Sequence, residues 1–568
     1  MIRHLGKMGA AAASFPARRQ SALLLLFALL LLILAPLAAR SAAQSVLYTI
    51  PGAAPNQMFG TAVAPAGDVD ADGFPDFIVG AAGDDTAGVN AGAAFVYSGR
   101  TGALLWSWLG EQPGEELGDD VAGVGDVNGD GHDDVLVGAY RHDGVGLNSG
   151  RARVFSGADG SELLVLDGTG VDDEFGIGVA GVGDLDGDGR PDVAVGAHHD
   201  DDNGFNSGSV RVVSGATGSQ LFLFLGDEMH DDLGHVLAGL GDIDGDAVPD
   251  VLVGLHDTPD PGQARVFSGA DGAVLYNFTG STNDDFYGHA VAGPGDVDGD
   301  GVPDLLIGAS LDDTTGSNAG RAWLHSGADG SIVFDWEGDA PDDGFGASVS
   351  GAGDWNGDGV RDVVVGIPGA DPAGPGSSAA RFYSGVDGSA LFTYEGTSPG
   401  LRFDIRVAAL GDVNGDSRPD VALGLSYHDL AGTDAGLVQV ISGALPVWTD
   451  LGGGLAGGAG VPALKGAGAL VAGSAGTLKL SGAAPSSPAL LLVSAASTPT
   501  PFKCGTLVAV PILFQLMLPT SPAGQLPLAW GAWPGGLSGA SLYFQLAVGD
   551  AGAPCGASIS NALRADVP

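Results

Sequence analysis

Cysteine is nearly absent from this chain: 568 residues contain two, Cys504 and Cys555, both near the C-terminus. No disulfide can therefore brace the long segment before them. Basic residues are almost as scarce, 22 Lys and Arg against 69 Asp and Glu, giving a formal charge of −47. A surface this acidic repels phosphate backbones and anionic lipids, which argues against nucleic acid and acidic membranes as partners. Past the N-terminal region no apolar run is long enough to span a bilayer. Neither an H-E-x-x-H string nor a phosphate-cradling loop is present. Apolar residues still make up 45% of the chain, so it is not a disordered acidic tail.

What the chain has in quantity is one acidic pattern. Asp68-Val69-Asp70-Ala71-Asp72-Gly73-Phe74-Pro75-Asp76 reads D-x-[DN]-x-D-G-x-x-D, and further copies start at Asp126, Asp184, Asp242, Asp296, Asp354 and Asp412. Successive starts lie 58 residues apart, with one interval of 54 between Asp242 and Asp296. So regular a period means one supersecondary unit stacked on its own copies. Carboxylates at positions one, three, five and nine number 25, so much of the acidic excess is concentrated in these loops.

The spacing has a chemical reason. Alternate residues can turn oxygens toward one centre if the backbone curls tightly, and a position-six glycine permits the curl. A carbonyl at position seven and a carboxylate at position nine complete an oxygen cage. Hard, charged oxygen donors suit calcium better than zinc or copper. The expected ligands are Asp68, Asp70, Asp72, Phe74 and Asp76, then Asp126, Asn128, Asp130, His132 and Asp134. Asp184, Asp186, Asp188, Arg190 and Asp192 follow, then Asp242, Asp244, Asp246, Val248 and Asp250. The last three sets are Asp296, Asp298, Asp300, Val302 and Asp304; Asp354, Asn356, Asp358, Val360 and Asp362; and Asp412, Asn414, Asp416, Arg418 and Asp420. The position-seven residues contribute through their backbone carbonyls. Ala247 and Ser417 replace the position-six glycine, so those two loops are expected to bind more weakly or to carry strain.

Short apolar runs flank the loops. In the second unit Leu117–Gly125 reads as a first strand and Val135–Gly138 as a buried second. Arg151–Ser156 reads as a third strand, Gly157–Gly160 as a tight Asp-Gly turn and Leu163–Leu166 as a fourth strand. Four antiparallel strands per unit, seven times over, predict a β-propeller. The seventh unit stops short at Pro446, while Val46–Ile50 precedes the first unit and fits the missing fourth strand. A ring latched in this way has no open sheet edge.

These units resemble FG-GAP repeats, the repeats of the integrin α-subunit propeller. Phe59-Gly60, Phe175-Gly176 and Phe345-Gly346 carry the "FG", softened to Leu117-Gly118, Leu233-Gly234 and Tyr287-Gly288. Gly80-Ala81-Ala82, Gly138-Ala139-Tyr140, Gly196-Ala197-His198 and Gly308-Ala309-Ser310 carry the "GAP", and Gly366-Ile367-Pro368 keeps its proline. The seventh unit departs most, with Phe403-Asp404. The resemblance implies a seven-bladed propeller with calcium loops on one face, and a ligand surface on the other.

That other face is also acidic. It carries Asp84-Asp85, Asp200-Asp201-Asp202 and Asp312-Asp313 from one loop set, and Asp172-Asp173, Asp231-Asp232, Asp284-Asp285 and Asp342-Asp343 from the other. It reads either as a docking surface for a cationic or calcium-bridged ligand or as a solvated rim. His198-His199 beside Asp200 reads as a transition-metal or acid–base group, or as a polar loop. His142, His256, His289 and His428 are scattered and form no motif, and Gly396–Gly400 matches G-x-S-x-G only as a string, in an interblade loop.

Residues 1–43 read as an export signal: Arg3, Lys7, Arg18 and Arg19, an apolar run to Leu34, then Ser41-Ala42-Ala43. Residues 44–446 are expected to form the propeller and 447–568 a small β-sandwich-like domain. In an exported protein Cys504 and Cys555 are expected to pair, two buried thiols being the other reading. The sequence thus points to an all-β, exported, calcium-binding propeller for adhesion or recognition of an extracellular protein or glycan. The alternatives are a polysaccharide-acting lyase or hydrolase, and a structural envelope component.

Overall fold

The most apolar stretch of each repeat becomes its most buried strand. The second strands are Asp76–Ala81, Asp134–Ala139, Asp192–Ala197, Val251–Leu255, Asp304–Ala309, Asp362–Ile367 and Asp420–Leu425, and every residue in them is buried. Unbroken apolar runs need cover on both faces, and the neighbouring blades supply it. Each Val, Leu or Ile buried in this way contributes about 1.5–3 kcal/mol.

The computed structural model describes residues 46–255, 261–281, 284–372, 377–396 and 405–443. In the tail it describes residues 448–452, 462–467, 476–494, 497–502, 505–509, 514–521, 523–530, 541–550, 557–560 and 562–566. Every regular element among them is a β-strand. Six antiparallel four-stranded sheets follow one another in chain order. The seventh joins Arg406–Gly411, Asp420–Leu425 and Leu437–Ser442, with Val46–Pro51 paired antiparallel to Leu437–Ser442 as the fourth strand. The expected closure is thus present. First strands of successive blades neighbour each other around the whole ring, and the seventh lies beside the first.

The Phe-Gly pairs are the interblade latch. Phe175 bridges Gly150 of the preceding blade, Leu117 bridges Gly92, and Phe59 bridges Gly436 to close the circle. The glycine is required there: Gly176 has φ +98°, and a Cβ on it would lie 2.4 Å from the Arg151 carbonyl oxygen. Outer-strand aromatics add a second latch, with Trp106 and Trp108 donating to the Gly157 and Gly160 carbonyls of the next blade at 2.8 and 2.9 Å.

Two details differ from the sequence reading. Leu117 makes only its bridge, and the regular first strand begins at Val121. Asp120 separates the two, its carboxylate accepting the Val121 and Val179 N–H groups at 3.0 and 2.8 Å. The Asp-Gly turn is also wider than a two-residue hairpin. Ser156 donates to the Ser161 carbonyl and Gly160 to that of Ser156, because Gly157 donates its own N–H to Asp134.

The propeller, Gln44–Ala444, and the tail beyond it are separate compact units. In the tail Trp448–Gly452, Ala562–Asp566, Ser541–Gly549, Pro488–Ser494 and Phe514–Pro519 form one sheet. Ala463–Ala467, Gly476–Ser481 and Leu526–Trp530 form a second. Leu478, Leu480 and Leu526 share a core with Leu491, Val493, Phe544 and Leu546, so the two sheets make a sandwich. Cys504, Cys555, His256, Phe403-Asp404 and most of the Gly396–Gly400 string lie outside the described residues.

Candidate metal centres

Each acidic loop joins the first and second strands of its blade, so all seven open on one face. The position-one carboxylate organises the curl. Asp184 accepts the N–H groups of Gly187, Asp188 and Gly189 at 2.7, 3.2 and 2.9 Å. Position three accepts from position five, as in Asn128 with Asp130 at 2.9 Å and Asp298 with Asp300 at 3.0 Å. Position five accepts from position seven, as in Asp188 with Arg190 and Asp246 with Val248, both 2.8 Å. These Asx-type turns hold the side-chain oxygens around one centre.

Position nine carries a second duty. All seven of its aspartates are fully buried: Asp76, Asp134, Asp192, Asp250, Asp304, Asp362 and Asp420. Asp192 accepts the N–H of Leu185 at 2.8 Å and that of Gly215, in the next hairpin of the blade, at 3.0 Å. Asp134, Asp250 and Asp304 repeat both bonds. The residue therefore pins two turns of its blade together. Burial pushes these carboxyls up, to about 6 at Asp76 and Asp134 and about 7 at Asp362 and Asp420. Neighbouring carboxylates add to the rise, Asp70 on Asp76 and Asp358 on Asp362.

The position-six substitutions adopt the glycine conformation. Ala247 has φ 73° and Ser417 φ 67°, a region that costs an L-residue about 1–2 kcal/mol. Ala71, with φ 55°, does the same at position four, where the other six loops have glycine. The loops also touch in series. Asp133 accepts the Asp68 N–H at 2.7 Å, His132 donates to the Val69 carbonyl at 2.7 Å, and Arg190 donates to that of Val127 at 3.2 Å.

The donor set fits a hard divalent cation. Asp68, Asp70 and Asp76 bring carboxylate oxygens within 4.8 Å of one another, as do Asp184, Asp186 and Asp192. Asp242, Asp244 and Asp246, and Asp296, Asp298 and Asp300, do likewise. That span is about twice a calcium–oxygen bond of about 2.4 Å. The loops without such a trio have Asn128, Asn356 or Asn414 at position three. In one of these, Asp354 Oδ1 is buried without a hydrogen-bond partner, an anionic oxygen that a cation would satisfy.

On the opposite face six of the seven acidic groups are split, while Asp231 and Asp232 are both half-buried. Asp84, Asp173, Asp200, Asp285, Asp312 and Asp343 are buried and staple the loops, as when Asp84 accepts from Gln57 and from the Thr86 N–H at 2.7 and 2.8 Å. Only their partners, such as Asp85, Asp172 and Asp313, face solvent. The rim is thus less open than the sequence suggested. What sequence reading missed is an apolar set: Val89, Leu147, Val171, Phe205 and Met229 stand 57–70% exposed. Backbone pairing brings Leu147 beside the segment of Val171 and Phe205 beside that of Met229, through Asp172 donating to the Leu147 carbonyl and His230 to that of Phe205, while Val89 accepts from Gly114. The signal was the apolar residue just before Asn90, Asn148 and Asn206.

The histidines are also sorted differently. Asp200, read beside His198-His199, is engaged by Ser209 and the Asp202 N–H at 2.6 and 2.7 Å. Glu174 takes its place, 3.5 Å from His198 Nε2 and 3.4 Å from His199 Nδ1. His142 forms a buried pair with Glu115 at 3.0 Å. Around the central channel a cavity of about 610 Å³ gathers Tyr140, His235, His289 and Arg406, which are far apart in sequence.

Comparison with known proteins agrees with this architecture. The FG-GAP repeat family matches residues 59–97, 118–155, 175–213 and 287–325. Integrin alpha-5 of Xenopus laevis is 29% identical over 282 residues, 48% of this chain and 22% of its own length. Integrin alpha-V of Gallus gallus is 28% identical over 230 residues, 37% and 20% of the two chains. Human integrin alpha-6 is 35% identical over 160 residues, 26% and 13% of the two. The chain spans about a fifth or less of the length of these relatives. The matched segments each run from a Phe-Gly latch or its equivalent through the acidic loop to the third strand, so this chain carries FG-GAP repeats similar to those of integrin alpha chains.

Proposed function

We propose that the chain is an exported, calcium-braced module that recognises an extracellular protein or glycan in adhesion. In this reading residues 1–43 are removed on export, 44–446 form the propeller and 447–568 a β-rich tail. Calcium occupies the acidic loops and offsets part of the −47 charge. The integrin-type repeats support ligand recognition as the class of activity. The observation that carries it is the exposed apolar set Val89, Leu147, Val171, Phe205 and Met229 on the face away from the acidic loops. Apolar anchors ringed by acidic groups suit a partner with apolar and cationic contacts.

The test is to mix the mature chain with polysaccharides and cell-envelope fractions, with calcium or with chelator, and to record both retention and release of shorter products. Calcium-dependent retention without new products supports the proposal. The channel cavity favours a second reading, an enzyme acting on polysaccharide, because Tyr140, His235, His289 and Arg406 are among the residues that line it. New products would establish that reading. Saturable binding to nothing in the panel would favour a structural envelope component.

A further inference from the structure

Blades 2 and 3 build the same corner from different side chains. In each, the residue before the Phe-Gly latch is a glutamate at positive φ, Glu116 at 55° and Glu174 at 56°. Each glutamate N–H is fixed to the preceding loop, Glu116 to the Asn90 carbonyl at 3.1 Å and Glu174 to that of Asn148 at 3.0 Å. In blade 2 the carboxylate accepts from the Tyr140 hydroxyl and from Arg141, both at 2.8 Å. The corner is closed by ordinary hydrogen bonds.

In blade 3 the equivalent positions hold His198 and His199. One oxygen, Glu174 Oε2, lies 3.5 Å from His198 Nε2 and 3.4 Å from His199 Nδ1. Both distances exceed the hydrogen-bond range of about 2.7–3.2 Å. Both match the edge of about 3.3–3.5 Å between two ligands on a tetrahedral zinc ion. The three donor atoms close within 4.8 Å. We propose that Glu174, His198 and His199 form a binding site for a zinc-class divalent ion, separate from the calcium loops. Two imidazoles and one carboxylate make a borderline donor set, whereas the acidic loops offer oxygen alone. His235 packs edge-on against His198 at 5.1 Å and confines its ring.

Binding requires one adjustment. The rings of His198 and His199 are 3.8 Å apart, closer than the separation of about 5 Å for two imidazoles on one tetrahedral ion. His198 is nearly enclosed while the His199 side chain is 34% exposed, so His199 is the ring that swings. Three protein donors leave a fourth position for water or for an acidic group of a ligand.

The test uses untagged mature chain held in saturating calcium, so that the acidic loops are filled. Zinc is titrated calorimetrically, and cobalt is added separately as a spectroscopic probe. The expected result is one zinc ion per chain and an intense tetrahedral cobalt band. His199→Ala and Glu174→Gln should each weaken zinc at least tenfold and abolish the band, with melting in calcium unchanged. Two substitutions keep the test readable if one disturbs folding. No zinc uptake by the wild type, or wild-type zinc affinity in both variants, would overturn the proposal.

Discussion

The two faces of the propeller follow opposite rules. On one, the seven acidic loops repeat almost residue for residue, because each is tied into its blade by a buried aspartate such as Asp192. On the other, equivalent positions hold Tyr140-Arg141 in one blade and His198-His199 in the next. Backbone pairing there fixes where the loops lie, not which side chains they carry. The repetitive face is restricted by fold and charge together, and the side chains of the variable face are free to differ from blade to blade.

The largest effect expected on this comparison is metal removal. Each loop filled at about a hundred times its dissociation constant adds about 2.7 kcal/mol. A chelator should therefore lower the melting temperature of the propeller steeply, measured by calorimetry. Next comes Asp192→Ala, assayed in chelator so that ion binding is not counted. It leaves the Leu185 and Gly215 N–H groups without an acceptor, at a cost of about 1–3 kcal/mol each. The equivalent loss on the variable face, Asp85→Ala, removes one exposed contact to Asn90 and should cost under about 1 kcal/mol.

The pH response sharpens the same contrast. Burial raises Asp76 and Asp134 to about 6 and Asp362 and Asp420 to about 7, from 3.8 when unfolded. Between these values the folded chain holds protons that the unfolded chain has lost, so stability is present at low pH and falls as pH rises to about 7. The metal-free protein should accordingly melt higher near pH 5 than near pH 8, and calcium should shrink or reverse the difference. Melting scans at the two pH values, with and without calcium, check this.

Smaller effects come from single loops and from the apolar rim. Ala247→Gly should relieve about 1 kcal/mol and tighten calcium in its loop, whereas Gly189→Ala, at φ +86°, should do the reverse. Phe205→Ser with Met229→Ser should leave melting unchanged within about 0.5 kcal/mol yet reduce retention on the binding partner.

The repeat itself was legible in the sequence. The period and the short apolar runs marked out the blades, and the stray strand at Val46 marked the closure seen between Val46–Pro51 and Leu437–Ser442. These are local signals multiplied seven times. What was hidden depends on contacts between residues distant in the chain. Glu174 reaches His198 across 24 positions because a left-handed residue turns it there, and no spacing rule encodes that. The inward turn of Asp84, Asp200 and Asp312 could not be separated from the outward turn of their neighbours in a run of like residues. Ala71 hid a second left-handed position because only the position-six glycine had an evident role.

The most direct measurement is a calorimetric calcium titration of the mature chain, paired with melting at each end point. The account predicts uptake approaching seven ions, the loops of Ala247 and Ser417 filling last, and a large rise in melting temperature. An identical melting temperature in calcium and in chelator would contradict it, leaving the acidic loops as turns held by their own hydrogen bonds.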